Sequence, residues 1–374
     1  MVEYAKYELK NVCSRLSSGK SISSKMISEE GRYPVYGGNG LRGYTDHSNF
    51  SGDCAIIGRQ GAFCGNVRYF SGEAYMTEHA VVVCANNLNN THYLAYLLST
   101  MNLGRLSGQS AQPGLSVKTL GIQEIMLPSI EYQNKVVALL SSLDEKIAVN
   151  NNINDNLERQ VQAYFQELFV DNADPAWTLG TISDLGTVVG GSTPSKSKPE
   201  YYTEDGIAWI TPKDLSINKA KFISHGENDI TELGLKNSSA SIMPEGTVLF
   251  SSRAPIGYIA IASGEVTTNQ GFKSVVPKPE IGTAYVYCFL KHTLPVIEGM
   301  ASGSTFKEVS GSTMKNVPAV IPDTETLTCF NEFCAPIFAQ QRILEEQNQS
   351  LAALRDSLLP KLMSGELDVS GIQL

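Results

Sequence analysis

The stretch "GDCAIIGRQGAFCGNVRYFSGEAYMTEHAVVV" (residues 52–83) returns as "EGTVLFSSRAPIGYIAIASGEVTTNQGFKSVV" (245–276), and no other feature constrains the fold so strongly. Both segments run through a turn, an apolar run, an arginine, a glycine, a second apolar run, Ser-Gly-Glu and a closing valine strand. Further on, "GQSAQPGLSVKTLGIQEIMLP" (108–128) returns as "GSTFKEVSGSTMKNVPAVIP" (303–322). The register is shared: Arg59 and Arg253 are 253 − 59 = 194 apart, as are Pro128 and Pro322 (322 − 128). Several ordered matches in one register mean that the chain is written twice.

A second periodicity is repeated at the same interval. Steps of four and three from Val136 reach Leu140, Leu143, Ile147, Asn150, Asn154, Leu157, Val161, Tyr164 and Leu168. Adding 194 gives Phe330, Cys334, Ile337, Gln341, Leu344, Asn348, Leu351, Arg355, Leu358 and Leu362. Most are apolar, the spacing of a helix seam, and each copy is interrupted by polar residues near its middle. The stretch 132–169 thus predicts a helix about 57 Å long, more than one lobe of this size can bury, so its natural partner is the other copy. The expected fold class is α+β. Two β-rich lobes are each followed by a long α-helix, and the two helices pack as an antiparallel coiled coil with pseudo-twofold symmetry. The expected segments are 1–130, 131–170, 171–325 and 326–374. Within the lobes, β-branched runs at 80–83 and 247–250 between Gly, Pro, Asn and Ser clusters predict strands, and short helices are expected at 93–100 and 284–292. Pro336 falls inside the second long helix and is expected either to kink it or to mark its true start. Asn150, Asn154, Gln341 and Asn348 read either as a hydrated, weakly packed stretch or as buried polar positions that set register.

Composition narrows the function. The 42% hydrophobic and 18% charged content suits a soluble globular protein; "MVEYAKYELK" lacks an apolar signal core, no run reaches membrane-span length, and a cytoplasmic location is expected. Seven cysteines without a Cys-x-x-Cys pair read as small reduced hydrophobes. The net charge of −9 argues against a simple basic DNA-binding module, although residues 1–130 alone carry 11 basic and 9 acidic side chains.

Catalytic signatures are missing. No Asn/Asp-Pro-Pro-aromatic loop for holding a flipped adenine occurs, and Asp174-Pro175-Ala176-Trp177 fails at its third position. There is no phosphate loop, no Gly-x-Ser-x-Gly elbow, and no metal spacing among the five histidines. Gly38-x-Gly40-x-x-Gly43 formally matches a dinucleotide fingerprint but lacks the downstream acid and strand-helix setting, and reads as turn glycines. No metal, cofactor or enzymatic activity is expected.

Several stretches together resemble one family. These are "QAYFQELFVDN" (162–172), "LLPKLMSGELDV" (358–369), "LGTISDLGTVVGGSTPSK" (179–196) and "GIQEIMLPSIEYQNKVVALLSSLDEKI" (121–147). They are similar to the DNA-specificity subunit of type I restriction-modification systems, and the resemblance covers nearly the whole chain. The first lobe's opening, "LKNVCSRLSSGKSISS", lacks the second lobe's Gly-Gly-Ser-Thr-Pro turn. The resemblance implies two target recognition domains, each reading half of a split, asymmetric site in double-stranded DNA. It also implies a helix pair that spaces the half-sites, and a scaffold for two adenine-methylating subunits and for restriction subunits.

Base reading needs Arg for guanine and Asn or Gln for adenine, backed by Lys on phosphates. The repeat-matched candidates are Arg42, Arg59, Gln60, Arg68 and Gln109 in the first lobe. Those of the second are Lys213, Arg253, Asn269, Gln270, Lys273 and Lys307. For each, a solvated side chain or loop brace is the competing reading. The rival functions are a repeated coiled-coil adaptor that does not bind DNA and an enzyme of unrecognised type.

Overall fold

The structure is a computed structural model and describes residues 2–107, 114–303 and 307–372. Its first lobe has strands β1 (Ala5–Glu8), β2 (Cys13–Ser18), β3 (Tyr33–Gly37), β4 (Gly40–Thr45), β5 (Phe50–Gly58), β6 (Val67–Met76), β7 (Ala80–Ala85) and β8 (Glu124–Leu127). Helices α1 (Thr91–Thr100) and α2 (Val117–Gly121) precede the long α3 (Ile130–Gln166), which ends in a π-helical turn, Glu167–Asp171.

The second lobe has strands β9 (Thr178–Thr181), β10 (Gly186–Gly190), β11 (Tyr202–Thr203), β12 (Ile207–Ile210), β13 (Phe222–Ile223) and β14 (Asn228–Ile230). They continue with β15 (Val248–Ser252), β16 (Ile256–Ala262), β17 (Thr267–Thr268), β18 (Lys273–Pro277) and β19 (Pro318–Ile321). Its helices are α4 (Ile182–Leu185), α5 (Pro212–Ile217), α6 (Glu232–Lys236), α7 (Thr283–His292), α8 (Leu294–Gly299) and α9 (Gly311–Lys315), and the long α10 (Thr324–Ser364) follows.

The interval of 194 survives as geometry. Helices α2 and α9, strands β8 and β19, and the first residues of α3 and α10 are all 194 apart (311 − 117, 318 − 124, 324 − 130). So are the caps: Ser129 Oγ accepts from the Tyr132 amide at 3.4 Å, and Asp323 Oδ1 accepts from the Thr326 amide at 2.8 Å. These bonds satisfy amides that the first helical turn leaves without partners. The bonds with Thr326 and Trp177 hold the Asp323 carboxyl down at about 2. Helix α10 starts twelve residues before Pro336 (336 − 324) and runs through it, so this proline does not mark the start.

The chain divides into two compact units, Met1–Ile147 with Ser350–Leu374, and Ala148–Gln349. Each contains one lobe and parts of both long helices. The first is built on a six-stranded sheet of order β2-β7-β5-β6-β3-β4. Alternate residues of β5 and β7 serve its two faces: Ala55, Ile57, Val81 and Val83 pack with α1, Val136, Leu140 and Leu362, while Cys54, Ile56, Ala80 and Val82 pack with Met76 and Phe50. A strand buried on both faces must be apolar throughout, which is why these runs show no polar alternation. The Ala148–Gln349 unit repeats the scheme in β10-β18-β15-β16-β13 and adds a second sheet, β11-β14-β12-β17. Val248 and Phe250 face α7 and the helix residues Val161, Phe165, Phe330 and Cys334, while Leu249 and Phe272 face Ala208, Ile210 and Met243.

Within each unit the long helices run antiparallel. In the first, the Tyr132 hydroxyl donates to the Leu367 carbonyl and Asp144 meets Arg355. In the second, Asn150 meets Asn348, Asn154 meets Gln341 and Tyr164 meets Cys329. Every seam position expected from the heptad is buried or half-buried: Leu143, Ile147, Asn150, Asn154 and Leu157 on α3, and Ile337, Gln341, Leu344, Asn348 and Leu351 on α10. Among the described residues no helix is long and apolar enough to cross a membrane, and no cluster of acidic, histidine and cysteine side chains could hold a metal. Cys54, Cys288 and Cys334 are buried, and burial pushes the Cys54 thiol up to about 12.

Candidate nucleic-acid interface

In the first lobe, four candidates gather around one glycine hairpin. Gly38 and Asn39 join β3 to β4, and Gly40 (φ +95°) and Gly43 (φ +136°) hold backbone conformations that side chains rarely adopt. The glycines also let neighbouring groups come close. A Cβ on Gly37 would fall 2.7 Å from Arg42 Cδ, one on Gly40 3.2 Å from the Arg68 guanidinium carbon, and one on Gly38 3.5 Å from the Arg59 amide nitrogen. The Arg42 and Arg68 side chains and the Arg59–Gln60 backbone thus all lie beside these three glycines.

Arg59 immediately follows β5. Its amide donates to the His79 carbonyl (3.0 Å), its carbonyl accepts from the Leu115 amide (2.8 Å), and Nη1 reaches the Ser18 hydroxyl at 3.4 Å. Gln60 Oε1 lies 2.9 Å from His79 Nδ1, and its backbone bridges to Gly114. Arg42 and Arg68 are exposed and Arg59 is half-buried. Among the described residues none of the three has a carboxylate within ion-pair distance. Gln109 lies outside the described residues.

In the second lobe, the turn after β10, the counterpart of the turn after β2, packs against the loop that follows β17. The Ser192 amide donates to the Thr268 carbonyl (2.9 Å), and Thr193 Oγ1 donates to Gln270 Oε1. Asn269 Oδ1 accepts from the Gly271 amide at 2.8 Å, shaping the loop that leads into β18. Arg253 follows β15 as Arg59 follows β5, and its neighbour Ser252 bonds Gly271 through its amide (2.7 Å), bringing Arg253 to the same loop. Lys273 Nζ donates to the Gln270 carbonyl at 3.3 Å. Arg253, Asn269, Gln270 and Lys273 therefore form one group. Lys307 is exposed beside it, next to Glu308, whose backbone bridges to Arg253. Lys213 lies near the N-terminus of α5, whose Pro212 would be 3.0 Å from a Cβ on Gly271.

Carboxylates stand among these cations, and a pattern of donors alone does not reveal them. Glu308 sits 3.6 Å from Arg253 and 3.7 Å from Lys273. Glu227 pairs with Lys213 at 2.5 Å and holds that exposed ammonium above its usual value. The repeat carries a usable signal: 194 residues before Glu308 stands Gly114 (308 − 114), so the carboxylate is particular to the second lobe.

Comparison with known proteins bears on the family of the chain. The sequence profile of the family described as type I restriction modification DNA specificity domain matches residues 1–159 and 176–354. The type I restriction enzyme MjaIX specificity subunit of Methanocaldococcus jannaschii is 40% identical over 191 residues, 49% of this chain and 44% of the relative. The EcoprrI specificity subunit of Escherichia coli is 41% identical over 134 residues, 35% of this chain and 33% of the relative. The chain thus spans less than half the length of these two relatives. A crystal structure of the type I restriction-modification S subunit of M. genitalium covers 96% of both chains with a TM-score of 0.62 at 18% identity, a likeness of fold. With its two lobes, two long helices and a profile match over most of its length, the chain belongs to the type I restriction modification DNA specificity domain family.

Proposed function

We propose that this chain is the DNA sequence-specificity subunit of a type I restriction-modification complex and has no catalytic chemistry of its own. The carrying observation is the match of both halves of the repeat to one DNA-specificity family, residues 1–159 and 176–354. Each lobe, 1–130 and 171–325, reads one half of a bipartite, asymmetric site in double-stranded DNA. Segments 131–170 and 326–374 set the half-site spacing and dock two methyltransferase subunits, with restriction subunits joining the complete assembly. The Arg42, Arg59, Gln60 and Arg68 group, with Gln109, supplies base and phosphate contacts in the first lobe. Arg253, Asn269, Gln270, Lys273, Lys213 and Lys307 do so in the second.

A fork of arginine and amide donors on loops at strand ends suits base edges in the major groove. The carboxylates beside the second group lower its positive field, so phosphate binding relies partly on the methyltransferase subunits. Co-expression with cognate methyltransferase subunits, followed by mapping of methylated adenines across the host genome, tests the proposal. A two-part motif with a fixed gap is expected. Methylation without any such motif, or none at all with an assembled complex, overturns it.

A further inference from the structure

Within the Ala148–Gln349 unit, a cavity of about 350 Å³ lies where the lobe meets the helices, with Glu158, Lys221, Tyr287, Lys291, Gln341 and Glu345 in its wall. The Lys221 side chain is only 6% exposed. Its ammonium pairs with Glu158 at 2.5 Å, donates to Gln341 Oε1 at 2.6 Å, and stands over the rings of Phe338 (4.0 Å) and Tyr287 (4.7 Å). Lys291, from α7, reaches the other Glu158 oxygen at 2.6 Å. Glu345, from α10, accepts the Lys221 and Phe222 amides at 2.7 and 3.0 Å, gripping the first residue of β13 by its backbone.

Every charge in this group is met by another element of the same unit: α3 supplies Glu158, α10 supplies Glu345 and Gln341, and the lobe supplies both lysines. A wall whose lysines are held by Glu158 and whose Glu345 is held by backbone amides offers little to a small ligand and much to a joint. Gln341 also bonds the Asn154 carbonyl across the helix seam at 3.2 Å, so the joint and the seam share a residue.

We infer that Glu158, Lys221, Lys291 and Glu345 are positioning residues that clamp the second lobe on the helix pair, giving its reading loops one orientation and hence a sharp preference for one half-site gap. Buried ion pairs contribute little net stability compared with apolar packing, but their demand for one geometry suits them to this role. The gap preference rests on the proposed DNA reading; the clamp itself does not.

Two variants of the full chain test it: Lys221→Met, which removes the buried ammonium, and Glu345→Gln, which keeps an oxygen but removes the paired acceptors should Lys221→Met fail to fold. Spin labels at Lys236 and Gln340 report lobe against helix, and the expected result is a broadened distance distribution in either variant. In the assembled complex, a library of half-sites at varied gaps is expected to show roughly tenfold weaker gap discrimination, about one base contact's worth, with unchanged base preferences. An unchanged distance distribution in a folded variant overturns the clamp. A broadened distribution with gap discrimination intact overturns its role in spacing, and broadening with no bipartite preference in the parent complex removes the DNA reading alone.

Discussion

At the scale of single residues, the two reading groups differ in sign as much as in sequence. Arg253 and Lys273 share Glu308, whereas the arginines of the first lobe have no acidic partner among the described residues. Glu308→Gln is therefore expected to tighten DNA binding by the complex severalfold and steepen its salt dependence, measured by titration at two ionic strengths. Arg253→Ala is expected to cost about 1–3 kcal/mol and relax one target position; unchanged binding and methylation specificity would remove Arg253 from the interface. Glu158 gives a prediction in pH. Burial pushes its carboxyl up, but Lys221 and Lys291 outweigh burial and bring the pKa from 4.5 to about 2. A depressed carboxyl stabilises the fold above its unfolded value and loses that contribution as pH falls through the folded one. Glu158→Gln should thus lose about 3 kcal/mol at pH 7, because it strands a buried lysine, and its deficit should shrink between pH 4.5 and about 2. Glu345, raised by burial, shifts the other way but is present in both proteins. Urea unfolding across that range is the measurement, and a deficit independent of pH would contradict the pairing.

At the scale of elements, the helix seam was legible and the lobe interiors only partly so. The heptad named positions that are buried or half-buried, because a 3.5-residue repeat places them on one face whatever surrounds the helix. The strand runs at 80–83 and 247–250 were visible for a different local reason, as β-branched stretches bounded by turn residues. The pairing of those strands was not, nor was the added sheet β11-β14-β12-β17, whose strands are two to four residues long and carry no periodicity. The middle of the seam is a hydrogen-bonded chain: Asn150 Nδ2 donates to Asn348 Oδ1 at 2.9 Å, and Asn348 Nδ2 to Asn151 Oδ1 at 2.8 Å. Asn150→Leu alone deprives Asn348 of that donor and is expected to cost about 1–3 kcal/mol, whereas Asn150→Leu with Asn348→Leu is expected to leave stability unchanged or raised. Equal losses in the single and double variants, read by chemical denaturation, would show that these residues are not a pair.

At the scale of the whole molecule, the proposed spacing role gives a prediction of length. Deleting one heptad at matched positions in both long helices removes about 10 Å from each, or roughly three base-pair steps. The preferred gap between half-sites is expected to shift by about that amount while their bases stay the same, read from a gap library or a methylation map. An unaltered gap would refute spacing by the helices. The sequence by itself determined the twofold writing of the chain, the order lobe, helix, lobe, helix, the face of each helix that is buried, and the family. These are local periodicities and repeats, and they survive whatever the rest of the chain does. Only the tertiary structure decided which charges meet: Glu308 between Arg253 and Lys273, Lys221 on Glu158, and a glycine hairpin beside Arg42 and Arg68. The partners of the acidic pairs stand tens of residues apart in the chain, and pairing at that separation follows from packing, which no local pattern records.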